Sequence, residues 1–204
     1  MACLHKFHQY LNLNNLDFEP TTLIVGTFNP GWVNLNNNAT WFYGRTRNNY
    51  FWDVLPRIYE NLSLRDSNHF DWKAFCVRNH IAITDLLASI DDADQQNPLH
   101  INAISNYKDS DIAGLFNQFT PVNIVNILQN YPSITNVYLT RQLGNTFWDN
   151  LWNDIVNGFA NHNINFQTLL TPSASARYQM NGNPDIRLRD FIYDNWQNTW
   201  HEFN

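Results

Sequence analysis

Short apolar runs recur along the chain and predict the strands of a buried parallel sheet. The runs are Thr22–Gly26, His80–Leu86, Thr135–Thr140 and Asn165–Leu170. Each contains few charged residues and is bounded by polar or turn-forming residues, which is typical of strands covered on both faces.

Segments with apolar residues at helical spacing follow these runs. They are Asn49–Asn61, Thr120–Asn130, Gly144–Phe159 and Asp185–Trp200. Thr120 and Pro121 are residue types that begin a helix, one as the cap and the other in the first turn. Pro56 is expected to kink or restart its helix, because proline lacks the N–H that an interior helical position donates.

Strands that alternate with helices predict an α/β fold with three layers, α/β/α, around a central four-stranded parallel sheet. The sequence has no internal repeat, and the polar stretches Asp91–Asn97 and Asn181–Pro184 are interpreted as loops. We therefore expect a single domain over 1–204. Ligands of open parallel sheets bind beyond the carboxyl ends of the strands, so the residues after each strand are the first candidates for function.

Composition and charge narrow the class of protein. Hydrophobic residues make up 44% and aromatic residues 15% of the 204 residues, enough for a packed core. The net charge of −6 excludes a uniformly basic surface but not a local basic patch. Cys3 and Cys76 are too few for a disulfide scaffold or a four-cysteine cluster. Because no apolar run approaches about 20 residues and the N-terminus does not resemble a secretion signal, we expect a cytoplasmic protein.

The segment from Gly26 to Trp32, after the first predicted strand, combines small and turn-forming residues with an asparagine. Glycine lets the backbone approach a ligand closely. Asn29 offers a carbonyl acceptor and an amide donor, which suit it to hold a water molecule or to read a planar base. The alternative is an Asn-Pro-Gly turn that only joins strand to helix.

An aromatic and basic loop precedes the first predicted helix. Tyr43 is followed by a glycine and by Arg45 and Arg47. A flat aromatic face beside cations is what a nucleic-acid site uses to stack a base and to bind phosphate. The alternative is an aromatic core cluster beside a solvated arginine face, which is the role we expect for Phe51 and Trp52.

A loop of small residues, from Thr171 to Tyr178, follows the fourth predicted strand. Such a loop can lie against the backbone of a ligand, with hydroxyl and N–H groups donating to phosphate. Arg177 would project from it as a long side chain. The alternative is a serine-rich surface loop.

Together these segments resemble the uracil-DNA glycosylase superfamily. The resemblance lies in Gly-Thr-Phe-Asn-Pro-Gly (26–31), in the aromatic-Gly loop before Asn-Tyr-Phe-Trp (49–52) and in Pro-Ser-Ala-Ser-Ala-Arg (172–177). The sequences are most similar to those of the mismatch-specific thymine/uracil glycosylases. The resemblance implies the fold of that superfamily and an enzyme that extrudes a damaged base from DNA and hydrolyses its N-glycosidic bond, with no metal or cofactor.

The resemblance also implies a role for each matched residue. Asn29 matches the catalytic asparagine that holds the attacking water. The base pocket would comprise Gly26, Thr27, Phe28, Pro30, Gly31 and Tyr43. Tyr43 would stack on the extruded base.

The remaining matched positions would contact DNA. The DNA-binding and wedge loop would comprise Pro172, Ser173, Ser175, Ala176 and Arg177. Arg177 would fill the space that the base leaves. Candidate phosphate contacts at the same face are Arg45, Arg47, Arg187 and Arg189, with Arg141 nearby. No lysine lies in the matched segments to form a Schiff base, which favours monofunctional hydrolysis over lyase chemistry.

Some positions depart from the family pattern or have other interpretations. The third predicted strand ends in Thr140 and Arg141 instead of an Asn-Gly pair, so base recognition stays open. Asp85, near the end of the second predicted strand, could lie near the pocket, but we interpret it as the cap of the next helix. His5 and His8 are spaced for one helical face but have no evident carboxylate or cysteine partner, so metal binding is not expected there.

The leading hypothesis is a DNA-repair glycosylase acting first on uracil, with mispaired thymine or hypoxanthine as further substrates. Its partner would be DNA, and we expect a monomer that associates with the nucleoid when it acts. The alternative is a non-catalytic nucleic-acid or nucleotide-binding module on the same fold. An α/β enzyme with a small-molecule substrate would leave the Ser-Ala-Arg loop without a role.

Overall fold

The computed structural model describes residues 1–14, 16–32, 39–182 and 185–200. Within these residues the strands are β1 (Cys3–Leu4), β2 (Thr22–Gly26), β3 (Ile81–Asp85), β4 (Leu87–Ile90), β5 (Phe119–Pro121), β6 (Asn136–Leu139) and β7 (Asn165–Thr168). The α-helices are α1 (Phe51–Glu60), α2 (His69–Arg78), α3 (Pro98–Ser105), α4 (Asp109–Leu115), α5 (Ile124–Asn130), α6 (Thr146–Gly158) and α7 (Leu188–Thr199). Short 3-10 helices span His8–Tyr10 and Ala174–Gln179.

In the described part of the chain, four parallel strands form the central sheet in the order β3-β2-β6-β7, flanked by helices. The predicted α/β fold around a four-stranded parallel sheet is therefore confirmed. Every residue of β2 and β3 is buried, which explains their nearly continuous apolar sequences. The register pairs Gly26 with Asp85 at the carboxyl ends of these two strands.

A second, antiparallel sheet, in the order β1-β4-β5, was not predicted. β4 begins two residues after β3 ends, so the chain passes from the parallel sheet to the antiparallel one through Leu86. The Leu86 N–H still donates to the Gly26 carbonyl at 2.9 Å. This direct passage from strand to strand leaves no helix after β3.

The predicted start of helix α5 at Thr120 is wrong. Thr120 and Pro121 belong to β5 and pair with β4. The helix begins after Asn123, whose side chain accepts from the Asn126 N–H at 3.0 Å. Because asparagine caps helices better than threonine, the cap falls at Asn123 and the β-branched threonine joins the sheet.

Helix α1 continues through Pro56, which was predicted to kink or restart it. A proline at this position frees the carbonyl of Trp52, four residues earlier. That carbonyl accepts from the Leu64 N–H at 2.8 Å. The segment after the helix thus supplies the hydrogen bond that the proline cannot make, and Phe51 and Trp52 are fully buried as predicted.

The N-terminal segment runs beside the loop that follows β2. The Gly31 N–H donates to the Leu4 carbonyl at 2.7 Å, and the Lys6 N–H donates to the Asn29 carbonyl at 2.8 Å. These bonds fix the main chain on both sides of Pro30. The predicted polar loop at Asn181–Pro184 includes two residues, 183 and 184, that lie outside the described ranges.

Among the residues with described positions, no helix is long and apolar enough to cross a bilayer. The same residues contain no group of three or more His, Cys, Asp or Glu side chains arranged to hold a metal ion. Cys3 and Cys76 are free and buried, and burial raises the pKa of their thiols to about 11 and about 12.

Candidate active site

A cavity of about 590 Å³ opens at the carboxyl ends of the parallel strands. Gly26 at the end of β2 and Asp85 at the end of β3 line it, as do Thr140 after β6 and Thr171 after β7. This is the edge of the sheet at which parallel α/β proteins bind their ligands. The fold therefore brings the segments that follow the strands into one site.

Asn29 lines this cavity with a buried side chain that is 8% exposed. Within the described part of the chain, its Oδ1 atom is buried and has no hydrogen-bond partner. Leaving a buried acceptor unsatisfied costs about 1–3 kcal/mol, so a donor that enters the cavity can recover that energy. Asn29 is thus placed to accept a hydrogen bond from a water molecule or a ligand.

Gly26 lies where two side chains meet the backbone closely. A Cβ atom at this position would lie 2.1 Å from Asp85 Oδ1 and 2.7 Å from the Tyr43 hydroxyl. No side chain can occupy that space unless those groups move. The glycine therefore allows Asp85 and Tyr43 to reach the end of β2.

His5 and Asp85 form a buried pair behind the cavity. His5 Nε2 lies 2.6 Å from Asp85 Oδ2, and the two residues are 1% and 5% exposed. The Phe7 N–H donates to His5 Nδ1 at 3.0 Å, so in the neutral ring the proton is on Nε2 and is donated to Asp85. Two interpretations are corrected: Asp85 does not cap a helix, because β4 follows, and His5 does have a carboxylate partner.

No local sequence pattern indicates this pair, because its members are 80 positions apart and the strand β1 brings them together only in the folded chain. His8, which was grouped with His5, lies in the 3-10 helix and is exposed. The two histidines therefore do not share a helical face.

Tyr43 lines the cavity and is held on two sides. Its ring stacks on Phe51 with centroids 3.8 Å apart and planes inclined by 4°, and its hydroxyl lies 2.8 Å from Thr140 Oγ1. Burial and the nearby charge of Asp85 raise the pKa of Tyr43. Its φ of 55° is an unusual value for an aromatic residue and is often found at functional sites. Phe51 covers one ring face, so only the other face is available to a ligand.

Arg141 lines the cavity two residues after the end of β6. Its Nη1 donates to Asp109 Oδ2 at 3.1 Å, and Thr27 Oγ1 donates to Asp109 Oδ1 at 2.9 Å. Burial raises the pKa of Asp109, while Arg141 and Thr27 oppose the shift. No sequence pattern indicated Asp109, since it lies in a polar stretch with no predicted strand directly before it.

Arg45 also lines the cavity, and its guanidinium carbon lies 3.5 Å from the centre of the Tyr107 ring. Burial lowers the pKa of Arg45. The other predicted phosphate contacts lie outside the cavity lining. Arg47 and Arg187 are exposed, and Arg189 Nε lies 3.9 Å from Asp190 Oδ1.

The structure separates the predicted base-pocket residues into two groups. Gly26, Thr27 and Phe28 line the cavity together with Asn29. Pro30 and Gly31 are not among the described residues that line it. Their backbone pairs with the N-terminal segment, and a Cβ on Gly31 would lie 2.6 Å from the Leu4 carbonyl oxygen.

The serine-rich loop forms another wall of the cavity. Pro172, Ser173 and Ser175 line it, whereas Ala176 is fully buried beneath the loop. Arg177 is exposed and does not line the cavity. Tyr178, which no sequence motif indicated, lines the cavity mouth with 90% of its surface exposed.

No protein-family profile and no curated protein matches the chain. A solved structure does match it. The solution NMR structure of a protein from Methanosarcina acetivorans, named as a candidate uracil DNA glycosylase, aligns with 91% of this chain and 94% of its own, with a TM-score of 0.55 and 12% sequence identity. At that identity the similarity establishes a common fold over nearly the whole chain.

Proposed function

We propose that this protein is a DNA glycosylase that hydrolyses the N-glycosidic bond of a base extruded from DNA. The observation that carries the proposal is that Asn29 Oδ1 is buried and has no hydrogen-bond partner among the described residues. It belongs to a cavity that opens at the carboxyl ends of the parallel strands and is large enough for a base. In that position the oxygen accepts a hydrogen bond from a water molecule and orients it towards C1′ of the deoxyribose. The resemblance in sequence and the similarity in fold support the same activity.

In the reaction, the bond between C1′ and the base nitrogen breaks and its electron pair leaves with the base. The water oxygen bonds to C1′, and the proton that it loses neutralises the departing base. The transition state carries positive charge on the sugar and negative charge on the base. Arg45 and Arg141 supply positive charge to the cavity in which the base would leave.

The serine-rich loop would bind the DNA strand and fill the gap left by the base. Ser173 and Ser175 offer hydroxyl groups at the cavity wall, suited to phosphate oxygens. Among the described residues that line the cavity, Tyr178 has the most exposed aromatic side chain, so we assign it, rather than Arg177, to the vacated space. Arg177 would contact phosphate from outside the cavity.

Hydrolysis without lyase activity is part of this proposal. The buried side chain that would hold the water is Asn29, whose amide cannot form a Schiff base. Lys108 also lines the cavity, at an exposed position. Borohydride treatment during the reaction would trap a covalent DNA adduct if Lys108 attacked C1′, and we expect no adduct.

A non-catalytic binding module is the second candidate. It is favoured by Arg45 and Arg141, because two guanidinium groups in one cavity suit the phosphate of a nucleotide. Such a module would bind its ligand without needing an unpartnered oxygen beside it. The two candidates therefore differ in what Asn29 does.

The deciding experiment is an excision assay on labelled oligonucleotides containing U·G, T·G, U·A, hypoxanthine·T or single-stranded uracil. We expect Asn29→Ala to reduce excision by at least about 100-fold, as expected for loss of a group that positions the nucleophile. Asn153→Ala, on the exposed surface of α6, is the matched control and should retain full activity. Duplex binding without excision of any of these bases would contradict the enzyme proposal for these lesions and favour the binding module.

A further inference from the structure

The water that attacks C1′ must lose a proton, and the amide of Asn29 cannot take it. An amide oxygen accepts a hydrogen bond but does not act as a base near neutral pH. Among the described residues that line the cavity, two side chains are carboxylates, Asp85 and Asp109. A carboxylate is one of the groups that enzymes use as a general base, so these two are the candidates for the proton acceptor.

Both oxygens of Asp109 are already hydrogen-bonded to the wall of the cavity. Oδ1 accepts from Thr27 Oγ1 at 2.9 Å, and Oδ2 accepts from Arg141 Nη1 at 3.1 Å. Burial raises the pKa of Asp109, but a general base must first present an oxygen within hydrogen-bond reach of the proton that it takes. Uptake of a proton at either oxygen would weaken a bond that joins the segments around the cavity. Asp109 is therefore the poorer candidate.

Asp85 has one oxygen that no described group binds. Its Oδ2 lies 2.6 Å from His5 Nε2, and in the described part of the chain Oδ1 receives no hydrogen bond. The nearby Tyr43 hydroxyl does not supply one. Thr140 Oγ1 donates to the Val25 carbonyl at 3.3 Å, so the Tyr43 hydroxyl, 2.8 Å away, donates to Thr140. Asp85 Oδ1 is thus available to a molecule in the cavity.

Asp85 and Asn29 lie at the same edge of the sheet. Gly26, at the end of β2, pairs with Asp85 and is followed three residues later by Asn29. A Cβ on Gly26 would lie 2.1 Å from Asp85 Oδ1, so this oxygen lies beside the start of the segment that carries Asn29. Both Oδ1 atoms are acceptors without a described donor. A water molecule has two O–H groups, one for each.

His5 holds the carboxylate from behind the cavity. Its Nδ1 accepts from the Phe7 N–H at 3.0 Å, so Nε2–H is the donor to Asp85. The ring stacks on Phe42, with centroids 5.5 Å apart, and packs edge-on against Phe28 at 5.7 Å. These contacts fix the imidazole, and the imidazole fixes which oxygen of Asp85 faces the cavity. His5 is therefore a positioning residue that does not itself touch the water.

We propose that Asp85, positioned by His5, is the general base that takes the proton from the attacking water. The inference rests on the proposed function and adds a catalytic residue to it. One O–H bond of the water breaks and its proton goes to Asp85 Oδ1, while the water oxygen bonds to C1′. The base leaves with the electron pair of the C1′–N bond. The proton then passes from Asp85 to the departed base, which restores the carboxylate. Asn29 orients the water through its other O–H group.

Asp85→Asn is the first test. The introduced amide keeps the volume of the side chain, and its oxygen can still accept from His5, but it cannot take a proton. On the duplex that the unaltered protein excises fastest, we expect the single-turnover rate to fall by about 100-fold or more. Affinity for the same duplex with a 2′-fluoro nucleotide, which resists hydrolysis, should be nearly unchanged. Asp154→Asn, which changes an exposed carboxylate on α6, should retain the full rate.

Azide separates the loss of a base from the loss of a structural contact. The azide anion bonds to C1′ through nitrogen without losing a proton, so it needs no general base. Added azide should raise excision by Asp85→Asn by about 10-fold or more and leave DNA with an azide at C1′ in place of the base. It should have no such effect on Asp109→Asn, because Asp109 does not carry the proton.

Two variants of His5 separate its two hydrogen bonds. His5→Gln places an amide N–H where Nε2 lies and so keeps the donor to Asp85. His5→Asn places a carbonyl oxygen where Nδ1 lies, which keeps the bond from Phe7, but it is too short to reach Asp85. Per folded molecule, we expect excision to fall by about 10-fold or more in His5→Asn and much less in His5→Gln.

The outcomes separate this inference from the proposed function. If the unaltered protein excises a base and Asp85→Asn is equally fast, or is slower but not raised by azide, the inference is overturned and the proposed function stands. No excision of any base by the unaltered protein would overturn both. If Asp85→Asn fails to fold, the two His5 variants decide. His5→Asn that excises as fast as His5→Gln would then overturn the inference.

Discussion

Arg141 and Asp109 join the end of β6 to the first turn of α4, with Nη1 of the arginine 3.1 Å from Oδ2 of the aspartate. Thr27 bonds to the other carboxylate oxygen, so Asp109 connects three segments around the cavity. The arginine side chain is 13% exposed and the aspartate side chain 35%. A carboxylate in this position costs the folded protein desolvation energy that its two partners only partly offset.

The pH dependence of stability should report this cost. Because the folded pKa of Asp109 is raised above its ordinary value of 3.8, the folded protein holds this proton more tightly than the unfolded chain. The contribution of Asp109 to the free energy of unfolding is therefore largest below pH 3.8 and falls as the pH rises through the raised pKa. The contribution is measured by denaturant unfolding of the unaltered protein and of Asp109→Asn, at pH values from below 3.8 to above the raised pKa.

In the Asp109→Asn variant this decline should be missing, so the unaltered protein should lose stability relative to the variant as the pH rises. Titration of the other groups is common to both proteins and cancels in the difference. A difference that rises with pH would show that Arg141 and Thr27 outweigh the burial of Asp109.

Two glycine substitutions should affect different properties: Gly26→Ala should reduce excision, and Gly31→Ala should reduce stability. Gly26→Ala places a Cβ against Asp85 Oδ1 and the Tyr43 hydroxyl, so we expect it to displace Asp85 and reduce excision by about 10-fold or more. Gly31→Ala places a Cβ against the Leu4 carbonyl outside the cavity, so we expect a loss of about 1–3 kcal/mol in stability. Excision per folded Gly31→Ala molecule should be nearly unchanged. Denaturant unfolding and excision assays on both variants check the prediction, and equal effects on excision would contradict it.

Tyr178→Ala should weaken DNA binding without destabilising the protein. Its side chain is 90% exposed, so the change in unfolding free energy should be within about 0.5 kcal/mol. Stacking of an aromatic ring on a base contributes about 1–3 kcal/mol, so affinity for a duplex with an abasic site should fall by about 5- to 100-fold. Fluorescence anisotropy measures that affinity.

Two further variants make the Tyr178 experiment specific. Phe70→Ala removes an aromatic ring that is 72% exposed on α2 and is outside the cavity lining, so it should not affect DNA affinity. Arg177→Ala should cause a smaller loss that diminishes at high salt, as for a phosphate contact. A larger loss for Arg177→Ala than for Tyr178→Ala would restore Arg177 as the residue that enters the duplex.

The sequence predicted the parallel sheet well, because strands buried on both faces are nearly continuous apolar runs. It also selected Asn29, since the segments that follow strands lie at the ligand edge in this class of fold. It did not predict the antiparallel sheet, whose strand β1 has two residues and β5 three. Strands this short leave no periodic pattern.

The interior of the site was less accessible to prediction than its strand-end residues. Asp85 was interpreted as a cap because its partner, His5, belongs to a distant segment. Thr120 and Pro121 formed a good local signal for a helix, but pairing with β4 placed them in a strand. In both cases contacts between distant segments outweighed the local preference.

The loop that carries Ser173 is joined to the segment before α1 by main-chain bonds. The Tyr50 N–H donates to the Pro172 carbonyl at 2.7 Å, and the Ala174 N–H donates to the Asn48 carbonyl at 3.1 Å. The conformational entropy of this loop is therefore already lost when the chain folds. A nucleic acid that docks there meets a preorganised surface, so association should be fast, with little structural adaptation of the protein.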